Sequence, residues 1–270
     1  LQAGIINKEK TNIILFLHGF PELSYSYRYL MKYFAKEGYF CIAPDQRGYG
    51  KTKFIKNIKN KASNYSIFNL TKDIYCFLKA LNISKINIVG HDFGVYVTCY
   101  FSLLYPKFIK SIVAMSMPFS GIARKNNSFN IYKINEQLKN LNPPKKHYQV
   151  YFAGKSANKN MSFCKQGVFD FLRAYYHFKS HDFKENNPYK LKNASPKELG
   201  AMPEYYIMKK NLGMSQTVQK YMPNKSQIKN CFWLTNKDLK VYSDSFINNT
   251  FQGPLNWYRM MIDENEKKKI

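Results

Sequence analysis

Between Thr11 and Met115 the apolar residues fall into short unbroken runs separated by longer stretches of helical spacing. The runs Thr11 to Leu17, Phe40 to Ala43, Lys85 to Val89 and Ser111 to Met115 end at Gly, Pro or polar clusters, the signature of strands buried on both faces. Tyr25 to Lys36 has helical spacing and stops at Gly38. Ser66 to Leu81 sets Leu70, Ile74, Phe77, Leu78 and Leu81 on one helical face, and Val95 to Leu104 forms a third helix. Strands alternating with helices predict an α/β fold, with a parallel sheet covered on both faces and right-handed crossovers. After Pro118 the alternation stops. Aromatic helical stretches broken by prolines run from Ile131 to Arg259, which predicts a mostly helical lid over the strand ends, where open α/β sheets place their ligands.

Composition narrows the function classes. A chain of 270 residues that is 45% apolar buries a sizeable core. No stretch approaches the roughly 18 apolar residues of a membrane span. Leu1-Gln2-Ala3-Gly4 does not open a leader sequence. The net charge of +25 suggests a polyanion partner. Its distribution argues against one, because arginine occurs only at positions 28, 47, 124, 173 and 259 while lysine is scattered among Asn, Ile, Tyr and Phe along the whole length. Those five residue types share A/T-rich codons, so nucleic acid is not an expected partner. The run Glu266-Lys267-Lys268-Lys269 reads as a solvated end. Five cysteines, at positions 41, 76, 99, 164 and 231, form no CxxC pair and sit mostly in apolar patterns, which predicts reduced, buried thiols and a cytoplasmic setting. No His, Cys and Asp cluster has metal-ligand spacing, so neither metal nor cofactor is expected.

The chemistry concentrates at Gly90-His91-Asp92-Phe93-Gly94, where the third strand turns sharply into a helix. Glycine on both sides suits a strained central residue and a close approach of strand and helix. An aspartate presented there is a nucleophile for a carbon bearing an oxygen or halide leaving group, giving an alkyl ester. The helix N-terminus favours its carboxylate form. His18-Gly19-Phe20-Pro21-Glu22 follows the first strand, and the backbone N–H groups of Phe20 and Phe93 are the candidate oxyanion hole. His18, Gly19 and Pro21 shape that loop, while Gly90, His91 and Gly94 shape the elbow.

The ordered set HGFPE, DQRGYG (Asp45 to Gly50) and GHDFG resembles the α/β-hydrolase superfamily, and within it the epoxide hydrolase-like group with an aspartate nucleophile, from Asn12 to Arg259. The resemblance implies an α/β-hydrolase fold with about four legible strands. Residues 1–117 are the N-terminal part of the core, 118–259 the cap, and 260–270 a charged tail where the core would resume. It also nominates Tyr148, in Tyr148-Gln149-Val150-Tyr151-Phe152, and Tyr258, in Gly253-Pro254-Leu255-Asn256-Trp257-Tyr258-Arg259, as donors to an epoxide oxygen. Spacing alone does not single them out among 22 tyrosines. A phenol is a donor near neutral pH, which suits the role. The implied substrates are a small apolar epoxide and water, and the implied product is a vicinal diol.

The family's water-activating histidine and its steering acid lie beyond the lid. None of His18, His91, His147, His177 and His181 stands there, and Asp263, Glu264 and Glu266 come too early in too charged a run. His147, beside Tyr148, reads as a lid histidine without a base role. A truncated chain that forms the ester and fails to hydrolyse it is therefore expected, with an apolar sheet edge left exposed. Two alternatives remain: a haloalkane or haloacetate dehalogenase, which Phe93 disfavours because it has no side-chain N–H for halide, and a non-catalytic binder that uses the lid pocket. Phe163, Phe169, Tyr175, Tyr176 and Trp233 are candidates for lining that pocket or packing the lid core.

Overall fold

The computed structural model describes residues 1–5, 12–54, 60–119, 121 and 130–269. The chain divides into two compact units, Leu1–Ala123 with Ile270, and Arg124–Lys269. In the first, β1 (Gln2–Ala3), β2 (Ile13–Leu17), β3 (Phe40–Ile42), β4 (Ile86–His91) and β5 (Ile109–Met115) form one sheet in the order β1-β3-β2-β4-β5. β2 to β5 are parallel; β1 is antiparallel to β3, with Gln2 opposite Ile42 and Ala3 opposite Cys41. The first predicted strand is present from Ile13; Thr11 lies outside the described residues. A strand ahead of it is a correction to the sequence reading, and its two residues are too short to show a period.

Helices α1 (Arg28–Lys36), α2 (Ile67–Ala80) and α3 (Phe93–Leu104) connect the parallel strands. Helix α1 follows a 3-10 turn at Ser24–Tyr27. The Ser66 side chain caps α2 by accepting from the Asn69 N–H, a bond worth about 1 kcal/mol to a helix start. The buried face of α2 is Ile67, Leu70, Thr71, Ile74 and Leu78, while Leu81 is exposed past the helix end. On one face of the sheet Ile14, Phe16, Cys41, Ala43 and Val89 pack with Tyr27 and Met31. Alternation sends Leu15, Leu17, Ile42 and Ile88 to the other face, and all four are buried. Each such side chain contributes about 1.5–3 kcal/mol of burial free energy.

The chain runs from β2 to β3 on one side and then to β4 on the other side of β2, so the strand order reverses between β2 and β4. The loops leaving the C-terminal ends of those two strands therefore flank the switch point, where an open α/β sheet forms its ligand crevice. At the far edge, β5 leaves Ile112 45% and Val113 48% exposed, an apolar sheet edge of the kind expected.

The second unit is mostly helical: α4 (Ile131–Lys139), α5 (Tyr148–Ala153), α6 (Ala157–Ser162), α7 (Gly167–Lys179), α8 (Pro196–Gly200), α9 (Met214–Gln219), α10 (Lys225–Asn230), α11 (Asn236–Asn249), α12 (Gln252–Ile262) and α13 (Glu264–Lys267). It also contains strands the sequence did not reveal. β6 (Lys145–His147) pairs antiparallel with β7 (Ile207–Lys209), three residues each and too short for a readable alternation. Tyr175 is buried in this unit, whereas Phe163 is 73% exposed and Trp233 donates its indole N–H to Asp182. Cysteine burial also differs from expectation: Cys41 and Cys99 are buried, Cys76 is exposed, Cys164 and Cys231 are partly exposed, and all five are free thiols. Among the described residues, no helix is long and apolar enough to cross a membrane.

Candidate active site

Asp92 stands between the last residue of β4 and the first of α3, with φ 51° and ψ −120°. This is a left-handed conformation that costs a non-glycine residue about 1–3 kcal/mol. Both sides of the bend hold it there: the Asp92 N–H donates to Met115 O of β5, and Asp92 O accepts from the Val95 N–H of α3. The neighbouring glycines are needed because three backbones converge. A Cβ on Gly90 would lie 2.5 Å from Gly94 O, one on Gly94 1.9 Å from Leu17 O, and one on Gly19 2.3 Å from the Asp92 Cβ. Each distance is far inside contact, so only hydrogen fits.

The Phe20 N–H donates to Asp92 Oδ1 at 3.1 Å. Phe93 opens α3, and both phenylalanine side chains are buried. The Phe20–Pro21 peptide is cis. Around this loop, His18 is fully buried. Its Nε2 accepts from the Gln46 N–H at 3.0 Å, so its Nδ1 carries the proton and donates to Gly19 O at 2.9 Å. Burial drives the His18 pKa down, against the bond to Gly19 and the charges of Asp45 and Glu22, and the ring is neutral. The Gln46 carboxamide donates to His18 O at 2.5 Å. The DQRGYG loop is pinned in turn by Asp45, which accepts from the Ser24 N–H and hydroxyl and from the Lys51 N–H. Burial raises the Asp45 pKa, and these donors outweigh it to leave a net lowering.

His91 of the elbow and Glu22 of the facing loop form a pair, with His91 Nδ1 and Glu22 Oε2 3.1 Å apart. The Gly19 N–H reaches the same oxygen at 3.4 Å. Burial pushes the Glu22 carboxyl up, but the His91 hydrogen bond and charge, His18 and the Gly19 N–H together bring it below its ordinary value. No spacing rule joins positions 22 and 91; the parallel pairing of β2 with β4 brings their C-terminal ends side by side.

In the second unit, Tyr148 is the first residue of α5 and its N–H donates to Tyr206 O, extending the β6–β7 ladder by one rung. His147 caps α5, its Nδ1 accepting from the Gln149 N–H at 3.3 Å, and burial lowers its pKa to about 4. Tyr258 is buried on α12, with its ring 4.9 Å from Phe152 and 6.0 Å from Tyr148, edge to face with the latter. The Gln149 side chain donates to the Tyr148 hydroxyl oxygen at 3.2 Å. Arg259 joins α12 to the end of α5 by donating to Ala153 O and Gly154 O, and it also donates to Asn256 Oδ1. A cleft of about 540 Å³ lies in this unit, lined by Lys145, Phe178, Tyr205, Tyr206 and Tyr221 among others. Among the described residues, no group of three or more His, Cys, Asp or Glu is arranged to hold a metal ion.

Residues 12–254 match the family described as alpha/beta hydrolase fold. Epoxide hydrolase 3 of Siraitia grosvenorii is 40% identical over 107 residues, which cover 40% of this chain and 33% of that protein. Bifunctional epoxide hydrolase 2 of Sus scrofa is 27% identical over 249 residues, 90% of this chain and 37% of that protein. The matched segments thus span about a third of the length of these relatives. The structure of potato (Solanum tuberosum) epoxide hydrolase I aligns with a TM-score of 0.69 at 26% identity, covering 99% of this chain and 70% of that one. Epoxide hydrolase A from Mycobacterium thermoresistibile, at 22% identity and a TM-score of 0.72, shares the fold. With its parallel sheet, its strained aspartate turn and a family match across nearly its whole length, this chain belongs to the alpha/beta hydrolase fold family, and within that family it is epoxide hydrolase-like.

Proposed function

We propose that this chain opens small apolar epoxides through an alkyl ester on Asp92. One Asp92 oxygen forms a bond to the less hindered epoxide carbon, the C–O bond breaks, and its electron pair stays on the ring oxygen. Tyr148 and Tyr258 are the hydroxyl donors that stabilise this oxygen as it becomes an alkoxide and takes a proton. Water attack at the ester carbonyl, with Phe20 and Phe93 N–H groups stabilising the oxyanion, releases a vicinal diol and restores the carboxylate. In this reading residues 1–117 supply the N-terminal part of the hydrolase core and 118–259 the cap. None of the five histidines is assigned to activating the water. The five free thiols support a reducing, cytoplasmic setting. Epoxide and water are the proposed partners, and nucleic acid is not among them.

The observation that carries the reading is an aspartate held at φ 51° with a backbone N–H on one carboxylate oxygen. The test is mass analysis after incubation with styrene oxide. One substrate mass should appear on the peptide containing Asp92, and Asp92→Asn should slow its formation by about 10³-fold. An adduct from a chloroalkane alone would make the protein a dehalogenase. Saturable binding of styrene oxide without any adduct would make it a binder.

A further inference from the structure

Helix α10 ends at Asn230 and α11 begins at Asn236, and the short loop between them is fixed at both ends. The Cys231 N–H donates to Ile228 O, closing the last turn of α10. Leu234 is buried, and its carbonyl accepts from the Arg173 guanidinium at 2.8 Å. Thr235 caps α11 by accepting from the Asp238 N–H, and its own N–H and hydroxyl donate to the Asp238 carboxylate. Trp233 is held by its indole N–H, which donates to Asp182 at 2.7 Å. A loop pinned this firmly still turns two large rings outward: Phe232 is 81% exposed and Trp233 41%. Met222, just ahead of α10, is exposed as well. Each ring forgoes its burial free energy by staying in water, and adjacent exposed rings on a fixed loop mark an interaction surface.

The charge beside these rings is of one sign. Residues 222–241 carry Lys225, Lys229, Lys237 and Lys240 against a single acid, Asp238, which is buried in its cap. Lys225 and Lys229, four apart on α10, share a face, and all four lysines are exposed. Lys240 pairs with Asp244, while Lys225, Lys229 and Lys237 enter no ion pair among the described residues. Scattered lysine alone does not point to a polyanion; here it is joined to an aromatic tip. Rings and ammonium groups together are complementary to a surface that is anionic outside and apolar a few ångströms below. Tryptophan favours that boundary because its ring is apolar and its N–H polar, and each lysine close to an anionic headgroup layer adds attraction. We propose that this loop is a docking surface for anionic lipid bilayers, with Phe232 entering the headgroup layer, Trp233 at its edge and the lysines on the lipid anions. The inference stands apart from the chemistry proposed for Asp92, although an apolar epoxide dissolves in such bilayers.

The chain has two tryptophans, Trp233 and Trp257, and Trp257 is 2% exposed, so a change of emission on mixing with vesicles reports Trp233. Vesicles of phosphatidylcholine with about 30% phosphatidylserine should sediment with the protein, shift its emission to shorter wavelength and shield it from acrylamide. Pure phosphatidylcholine vesicles should bind at least about tenfold more weakly. Phe232→Ser should lower the partition coefficient on the anionic vesicles at least about tenfold, and Lys225→Glu with Lys229→Glu by a similar factor. Lys32→Glu with Lys36→Glu, an equal change of net charge at exposed positions of α1, should lower it by less than about threefold. The inference is overturned if anionic vesicles leave emission and sedimentation unchanged, if Phe232→Ser binds like the parent, or if the two double variants lose binding equally. Self-association that Phe232→Ser abolishes, without vesicle binding, would overturn it too and assign the surface to a second copy of the chain. Vesicle binding by a parent protein that forms no Asp92 adduct would sink the proposed function and leave this inference standing.

Discussion

At Asp92, a positive φ and three crowding glycines are one phenomenon seen from two sides, because a carboxylate can be pushed out of a tight strand-to-helix bend only if nothing larger than hydrogen stands behind it. That requirement was legible in GHDFG. The roles of the nearby histidines were not, since they depend on what buries them. His18 and His147 both have pKa values lowered by burial, His147 to about 4, against about 6.5 in an unfolded chain. The native state therefore stays unprotonated where the unfolded state takes up protons. Their contribution to stability is complete above about pH 6.5 and is lost as pH falls toward the native values, at about 1.4 kcal/mol per pH unit for each histidine. The unfolding midpoint in urea should fall between pH 7 and pH 5 with the His147 imidazole resonance nearly unshifted, and His147→Gln should flatten that slope.

At the level of elements, α5 and α12 carry the two nominated tyrosines on short or irregular sequence, and Arg259 ties them together beside the ring contacts of Tyr258 with Phe152 and Tyr148. Arg259 satisfies the carbonyls of Ala153 and Gly154, which end α5 and have no partner further along the helix. Replacing it with Met keeps most of the apolar stem and removes those bonds. Arg259→Met should cost about 1–3 kcal/mol of stability, read as a lower urea midpoint. If the proposed role of the tyrosines holds, it should also slow formation of the Asp92 adduct. The elements themselves were unevenly legible. β2 and β4 were marked by unbroken apolar runs and α2 by a helical period; β1, β6 and β7, at two or three residues, had no room for either and exist because a neighbouring backbone pairs with them.

For the whole molecule, two properties oppose each other. The net charge of +25 repels one copy from another. The β5 edge, with Ile112 and Val113 exposed, invites strand pairing. Salt screens the first over about 10 Å at 0.1 M and leaves the second intact. Light scattering should show association that grows as salt is raised, and Val113→Lys should suppress it. Equal association by the variant would remove the edge from consideration.

The sequence by itself determined the α/β character of residues 12–115, the glycine-flanked aspartate and the loop that faces it, because these follow from local periodicity and from steric limits that act within a few residues. It also nominated Tyr148 and Tyr258, through resemblance rather than spacing. Only tertiary structure decided that β2 and β4 lie side by side at the reversal of strand order, that Glu22 meets His91 across 69 residues, and that His18 and His147 are buried enough to stay neutral. Those outcomes depend on which distant backbones pair and which side chains lose water, and no pattern within one stretch of chain encodes either.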